Sequence, residues 1–440
     1  MILGPTSRPA FPASRRQLAL VCTFALAWLL AGCTPSRLSA PPRDATDTLP
    51  ILGIDNARFW IDRGMAGIMR EAVLSAQREA AITPPGPHGE MPPVSFLAIS
   101  GGSDNGAFGA GLLNGWTESG QRPEFKLVTG VSTGGLTAPF AFLGPAYDAR
   151  LRAVFTDVTQ QNIFRKRFLS AVLTDDAMSD TSPLFALISR YANEEMLADI
   201  AREYLKGRLL LIGTTNIDLQ RPVLWNIGAI AASGHPGALD LFRKILLASA
   251  SVPAAFPPVM IDVEVDGQHY QEMHVDGGAV AQAFLYPTAL RLQAESRRLG
   301  IERERTGYII RNGRIDPEWT NTERSFLSLT GRAVSTMIHY SGINDIVRIY
   351  MTAVRDGVNF RLAFIPPEFQ VVRKEEFDQT YMRALFEFAY QRAKNGYPWL
   401  TAPPGLAAPE LMVEGSPTAA APAGTGARRP APRATAAPSL

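Results

Sequence analysis

Cysteine is nearly absent: the 440 residues contain two, Cys22 and Cys33. So few thiols exclude a disulfide-stapled scaffold and a Cys-ligated metal centre. Histidine is also sparse, and the five present (His88, His235, His269, His274, His339) show no metal-ligand spacing of the HExxH kind. No metal or cofactor is therefore expected. A surplus of one charge sign is missing too. The formal net charge is +2 and no block of like charge stands out, which argues against nucleic acid as a partner, because phosphate binding needs a dense basic surface. What remains is an ordinary globular composition, 46% hydrophobic and 19% charged, at a length that suits one large domain or two modest ones.

The N-terminus carries the first positive signal. Arg15 and Arg16 precede an apolar run from Leu18 to Leu30, and Leu30-Ala31-Gly32-Cys33 closes it. A basic start, a short apolar stretch and a small-residue exit describe a secretory signal peptide over residues 1–32. The run is short for a membrane-spanning helix, which needs about 20 apolar residues. The Cys after small residues resembles a bacterial lipobox, which implies acylation of Cys33 and a mature chain beginning there. Cys22 leaves with the signal, so no thiol remains for catalysis. Thr34 in the next position resembles lipoproteins sorted to the outer membrane. The expected location is the cell envelope, lipid-anchored at the outer membrane and facing the periplasm.

Composition divides the rest. Residues 33–90 read as a tether and an N-terminal helical segment. The Pro/Ser/Ala/Asp-rich stretch 34–50 suits a flexible tether, and 55–82 carries helical spacing in Ile68, Met69, Ala72, Val73 and Ala76. Pro84-Pro85-Gly86-Pro87 breaks it. Residues 91–400 alternate strand-like and helix-like segments. Residues 401–440, dominated by Ala, Pro, Gly and Thr, bury too little apolar surface to offset ordering and are expected to be disordered. Within 91–400, Val94–Ser100, Lys126–Thr129, Leu209–Thr215 and Val223–Asn226 read as strands. Strand, tight loop and helix in repetition indicate an α/β domain with a largely parallel sheet, whose site lies beyond the carboxyl ends of its strands.

Three loops carry chemistry. Gly130-Val131-Ser132-Thr133-Gly134 follows a strand and precedes an apolar helix with Leu136, Ala138 and Phe140, the context of a nucleophile elbow. Glycines at 130 and 134 permit the sharp turn, and the helix N-terminus favours an oxyanion. Ser100-Gly101-Gly102-Ser103-Asp104-Asn105-Gly106 joins the Val94 strand to a helix with Gly109, Gly111 and Gly115. Its backbone N–H groups can converge on a phosphate or an oxyanion. It lacks the Lys of a P-loop, and the serine elbow close behind favours the oxyanion. Val275-Asp276-Gly277-Gly278 follows strand-like Val259–Val265 and Tyr270–His274 and can present a carboxylate to a cleft as a proton acceptor. Each loop taken alone also reads as a plain tight turn.

Together the loops resemble the patatin-like phospholipase family, in its bacterial lipoprotein form. Their order matches, and Ala248-Ser-Ala-Ser-Val-Pro-Ala-Ala-Phe-Pro-Pro258 is similar to the family's segment before its aspartate. The resemblance is good over about 94–285. It implies a three-layer α/β/α fold with a mostly parallel central sheet. It also implies a Ser–Asp dyad in which Ser132 attacks an ester carbonyl and Asp276 takes its proton. Backbone N–H groups around Gly101 and Gly102, with Ser103 and Gly106 in the same loop, would hold the oxyanion. The implied partners are a lipid or acyl-ester substrate and, through the anchor, a membrane. The family's first loop usually reads Gly-Gly-Gly-x-Arg-Gly; here Ser103 and Asn105 replace the third glycine and the arginine. A neutral amide is a weaker donor than guanidinium, and Asp104 makes the loop less favourable for a phosphate headgroup.

Two other functions fit parts of the sequence. A Ser-Asp-His triad would use His339, the histidine after Asp276, in a helical stretch Thr336–Tyr340. A lipid-anchored binding or scaffold protein with a decayed site would explain the altered first loop. His274 shares a strand face with Asp276 by alternation and reads as structural. The helix near Phe377–Tyr390 reads as docked, with membrane contact as its alternative. Trp116 and Trp225 read as core, and residues 145–205 as a cap that shapes the pocket.

Overall fold

A computed structural model describes residues 37–62, 65–166 and 179–406. Cys33, the signal segment and nearly all of the expected disordered tail lie outside the described residues. The compact unit is Met1–Pro403; of a second, Pro404–Leu440, only residues 404–406 are described.

The strands are β1 (Arg58–Trp60), β2 (Val94–Ile99), β3 (Phe125–Val131), β4 (Arg165–Lys166), β5 (Ser179–Asp180), β6 (Leu209–Asn216), β7 (Arg221–Asn226), β8 (Val259–Val265), β9 (Gln268–Asp276), β10 (Arg305–Arg311) and β11 (Asn359–Phe364). The helices begin with α1 (Ala66–Ile82), α2 (Gly106–Glu118), α3 (Thr133–Leu143), α4 (Asp148–Thr156), α5 (Gln160–Ile163) and α6 (Ser182–Tyr191). They continue with α7 (Glu194–Leu205), α8 (Ile227–Ala232), α9 (Ala238–Ser249), α10 (Leu292–Arg298), α11 (Phe326–Arg355) and α12 (Gln379–Lys394).

The main sheet runs β1-β7-β6-β3-β2-β10-β11, with β9 also paired to β6 and β8 to β9. From β6 through β11 every neighbour in that order is parallel, while β7, β1, β9 and β8 pair antiparallel. The central strands are apolar on both faces, as a sheet covered on both sides requires. Leu97, Ile99, Val128, Leu210 and Ile212 face one core, built with α2–α9 and α12. Their alternates Phe96, Ala98, Leu127 and Leu211 face the other, built with Ile68 of α1 and Ile346, Ile349 and Ala353 of α11. The result is the expected three-layer α/β/α arrangement, and Trp116 and Trp225 are core residues.

Three expectations change. The segment 55–82 is not helical throughout: β1 occupies Arg58–Trp60, and the helix begins at Ala66. The reason lies in Arg58, whose guanidinium reaches the buried Glu272 carboxylate of β9 while its backbone pairs with β7. The stretch 34–50 is not a free tether from residue 37 onward. The Ser39 carbonyl accepts from Gln271 N at 3.1 Å, and Thr46 is buried, with its carbonyl accepting from Trp60 Nε1 at 3.2 Å. The helix holding His339 does not stop before Ser341-Gly342 but continues to Arg355. The Phe377–Tyr390 region docks as α12 on α2. A Cβ on Gly111 or Gly115 would lie 2.1 Å from the carbonyl oxygens of Phe386 and Tyr390, so bare glycine backbone is what lets the two helices approach.

Candidate active site

The central apolar strand β3 delivers Ser132 to the carboxyl edge of the sheet. Ser132 takes φ +55° and ψ −128°, a strained conformation for a side chain with a Cβ, and α3 starts at the next residue. The turn closes tightly. A Cβ on Gly130 would sit 2.3 Å from the Gly134 carbonyl oxygen, and one on Gly134 would sit 2.1 Å from that of Ile99. Both glycines of the elbow are thus fixed by backbone contact. The Ser132 N–H donates to Ser249 Oγ at 3.0 Å, and Ser249 Oγ donates to the Gly213 carbonyl at 2.8 Å.

Asp276 ends β9, opposite Thr214 of β6. Its N–H donates to the Ser251 carbonyl at 2.8 Å. Its Oδ1 accepts from Gly278 N at 2.6 Å, while Oδ2 is buried and has no hydrogen-bond partner. Burial pushes this carboxyl up to about 7, and the adjacent Ser132 hydroxyl and the Gly278 N–H pull it only partly back. The hydroxyl and the carboxylate are therefore neighbours, with a carboxylate oxygen left free to take a proton. Gly277 lies against the Gly213 backbone, so the Asp-Gly-Gly turn and the elbow share one support. The segment 248–258 bridges them: Ser249 holds Ser132, and Ser251 holds Asp276.

The glycine loop after β2 abuts the serine. A Cβ on Gly101 would lie 3.1 Å from Ser132 Cβ. The Gly101 N–H, expected as an oxyanion donor, is committed elsewhere: it donates to the Gln282 carbonyl at 3.1 Å. The N–H groups of Gly102 and Ser103 appear in none of the described hydrogen bonds. Thr133 Oγ1 donates to the Ser103 carbonyl at 2.9 Å, and Gly106 packs on the Thr133 methyl, which ties loop to elbow. Asn105 turns its amide oxygen to the Tyr381 hydroxyl at 2.6 Å rather than standing in for the missing arginine. Asp104 is buried and neutralised: Arg373 Nη1 donates to it at 2.9 Å and Phe377 N at 3.1 Å.

Four positioning residues lay outside the sequence expectations. Ser249 sits inside the family-like segment, which was a legible signal. Asn312 clamps the glycine loop: its N–H and Nδ2 donate to Ser100 Oγ and the Ser100 carbonyl at 2.9 Å each. Gln282 Nε2 donates to the Gly278 carbonyl at 2.9 Å, and the buried Asp345 accepts from Gln282 N and Ala283 N at 2.6 and 3.2 Å. No local pattern marks these last three; topology brings in Asn312 and Asp345, while Gln282 Nε2 reaches a carbonyl only four residues back.

The structure does not bring His339 to Asp276. The charged groups around His339 are Arg311, Glu318 and Asp316. His274 is fully buried and kept neutral by burial; its Nδ1 pairs with Thr214 Oγ1 at 3.0 Å and its Nε2 with Glu272 at 3.1 Å. Among the described residues no cluster of His, Cys, Asp and Glu could hold a metal.

Residues 97–288 match the family model described as patatin-like phospholipase. No curated protein matches the sequence. Among solved structures, the crystal structure of VipD from Legionella pneumophila is similar over 69% of this chain, at 10% identity and a TM-score of 0.33. The match spans 66% of that chain, just under two thirds of its length.

Proposed function

From the premise that this chain carries a patatin-like phospholipase domain over residues 97–288, we propose that it is a serine acyl hydrolase working through Ser132 and Asp276. Asp276 Oδ2 takes the proton as Ser132 Oγ attacks the ester carbonyl. The oxyanion falls to the N–H groups of Gly102 and Ser103, helped by the N-terminus of α3. The proton then passes to the leaving alcohol, and water enters by the same route to free the acyl group. One observation carries this reading: a buried carboxylate oxygen without a partner, on a group pushed up to about 7, beside a serine in a strained turn. A proton acceptor near neutral pKa is what activating a hydroxyl at physiological pH calls for.

The substrate class is a phospholipid or related acyl ester of the phospholipase A or lysophospholipase kind, met at the membrane to which an acylated Cys33 would hold the protein. A fluorophosphonate probe tests the nucleophile. Labelling of the folded wild type, lost in Ser132→Ala together with fatty-acid release from a panel of phospholipids and chain-length-graded esters, is the expected result. A folded wild type that neither labels nor releases acyl groups overturns the reading. Cys33→Ala should move the protein from the membrane to the soluble envelope fraction; unchanged partitioning would remove the anchor from the account.

A further inference from the structure

We infer that the N-terminal half of α11 is a lipid-docking helix that seats the catalytic edge of the sheet on an anionic bilayer surface. The inference takes its purpose from the acyl hydrolase reading and its evidence from elsewhere. Helix α11 is the crossover between the parallel strands β10 and β11, and its 30 residues extend about 45 Å. The six residues of β11 need only about 20 Å of return. The C-terminal half makes that return: Ile346, Ile349 and Ala353 are buried, and Asp345 grips the backbone at Gln282 and Ala283. The N-terminal half overshoots. It stands at the carboxyl edge of the sheet, where β10 runs into Asn312 and Asn312 clamps the glycine loop.

The polarity of this overhang is inverted. At about 100° per residue, Phe326, Leu329, Val334, Met337, Ile338 and Tyr340 share one arc of about 180°. They are 82%, 52%, 42%, 64%, 40% and 53% exposed. The opposite arc, with the half-buried Ser328, Arg332 and His339, faces the protein: Arg332 donates to the Glu318 carbonyl, and Arg311 Nη2 donates to the His339 carbonyl at 3.2 Å. A globular surface helix normally does the reverse, and a contiguous exposed apolar face of this kind marks an interaction surface.

Charge and placement select lipid as the occupant. From Arg324 through Asn344 the sequence holds no acidic residue, and the exposed Arg324 at its start can meet an anionic surface. Trp319, 88% exposed in the segment leading into α11, is a residue type that settles at the membrane interface. No described helix is long and apolar enough to cross a membrane, so the helix would lie on the surface. The anchor side agrees. Arg37 pairs with Asp218, and Leu38 N donates to Gln271 Oε1 at 3.0 Å. Gln271 lies on β9 beyond its last pairing with β6, at Asn216, past the carboxyl end of that strand. Arg37, the first described residue, therefore stands at the same edge as Ser132.

The test uses the full chain carrying Cys33→Ala, so that no acyl anchor contributes, with and without Phe326→Glu and Met337→Glu together. Vesicles of phosphatidylcholine with about a quarter phosphatidylglycerol are the probe. Co-flotation and hydrolysis of vesicle lipid should fall by about tenfold or more in the double variant, while turnover of a soluble short-chain ester stays within about twofold. An unchanged thermal midpoint confirms folding. Independently, vesicles should shift tryptophan emission to the blue, and Trp319→Phe should reduce that shift. Equal flotation of both proteins overturns the proposal. So does a wild type that sediments as a dimer, with a monomeric double variant that still floats, which would make the face a self-association surface. If the protein turns over no ester at all, flotation and emission still decide the docking surface, and only the hydrolase reading fails.

Discussion

At the scale of single residues, the proposed dyad of Ser132 and Asp276 sets a conflict between chemistry and stability. Burial lifts the Asp276 carboxyl from 3.8 to about 7. As a general base it must be ionised, so kcat/KM should rise with pH through a midpoint near that value. Stability runs the other way. Between the two pKa values the unfolded carboxyl is ionised while the buried one keeps its proton. The native state then binds more protons, and the protein loses stability as pH rises through that window. Asp276→Asn should remove this slope and raise the thermal midpoint at alkaline pH, while hydrolysis falls by about 10²–10⁴-fold. Melting curves across pH, beside ester assays, check both signs. Ser249 is a different kind of residue: it touches no reacting atom but satisfies the Ser132 N–H. Ser249→Ala leaves that buried donor without a partner, a cost of about 1–3 kcal/mol. The elbow should loosen, lowering kcat more than it raises KM, with fluorophosphonate labelling slowed but not abolished.

At the scale of elements, two contacts between remote segments hold the site in shape. Helix α12 lies against the glycine face of α2, and through Tyr381 and the neighbouring Arg373 it also grips the glycine loop at Asn105 and Asp104. Gly111→Ala would drive a Cβ to 2.1 Å from the Phe386 carbonyl oxygen, so α12 must move. The expected loss is about 1–3 kcal/mol in denaturant unfolding, with reduced turnover as the loop is released. The second contact braces β9. Burial favours the neutral form of Glu272, but hydrogen bonding from His274 and the charge of Arg58 outweigh it and hold the carboxyl at about 2. A depressed carboxyl contributes stability above its unfolded pKa that fades as pH falls toward the folded one, so acid unfolding should begin in that window. Glu272→Ala strands the Arg58 guanidinium and should cost about 3–5 kcal/mol, read as an earlier acid transition and a lower melting point.

These elements also show where reading the sequence stops. The strands β2, β3 and β6 were legible as apolar runs and β9 through the Asp-Gly-Gly that closes it, and the loops after β2, β3 and β9 announced Gly101, Ser132 and Asp276 by residue type and spacing. β1 was hidden inside a helical pattern because its stability comes from β7 and Glu272 rather than from its own three residues. Asn312 and Asp345 were invisible for the same reason: a side chain that clamps a loop 212 or 63 residues away carries no local periodicity. Even the expected donor Gly101 changed role, since its N–H partner, the Gln282 carbonyl, comes from a distant loop.

At the scale of the whole molecule, the family match ends at residue 288 but the sheet does not. β10 pairs directly with β2 and then with β11, so two parallel strands lie beyond the matched region. A chain cut at 288 would leave the β2 edge unpaired, an invitation to aggregation, and expression of residues 1–288 alone should yield insoluble protein. Between the parts runs α10, a short helix with no buried residue. Ser132 and Asp276 stand before it, while Asn312, Arg373 and Tyr381, which set the glycine loop, stand after it. The hydrolase is in this sense a lock with two keys carried on one ring. Severed at α10, neither half would turn alone, and activity would return only where the two are produced together, so that β10 can cover the β2 edge as it forms.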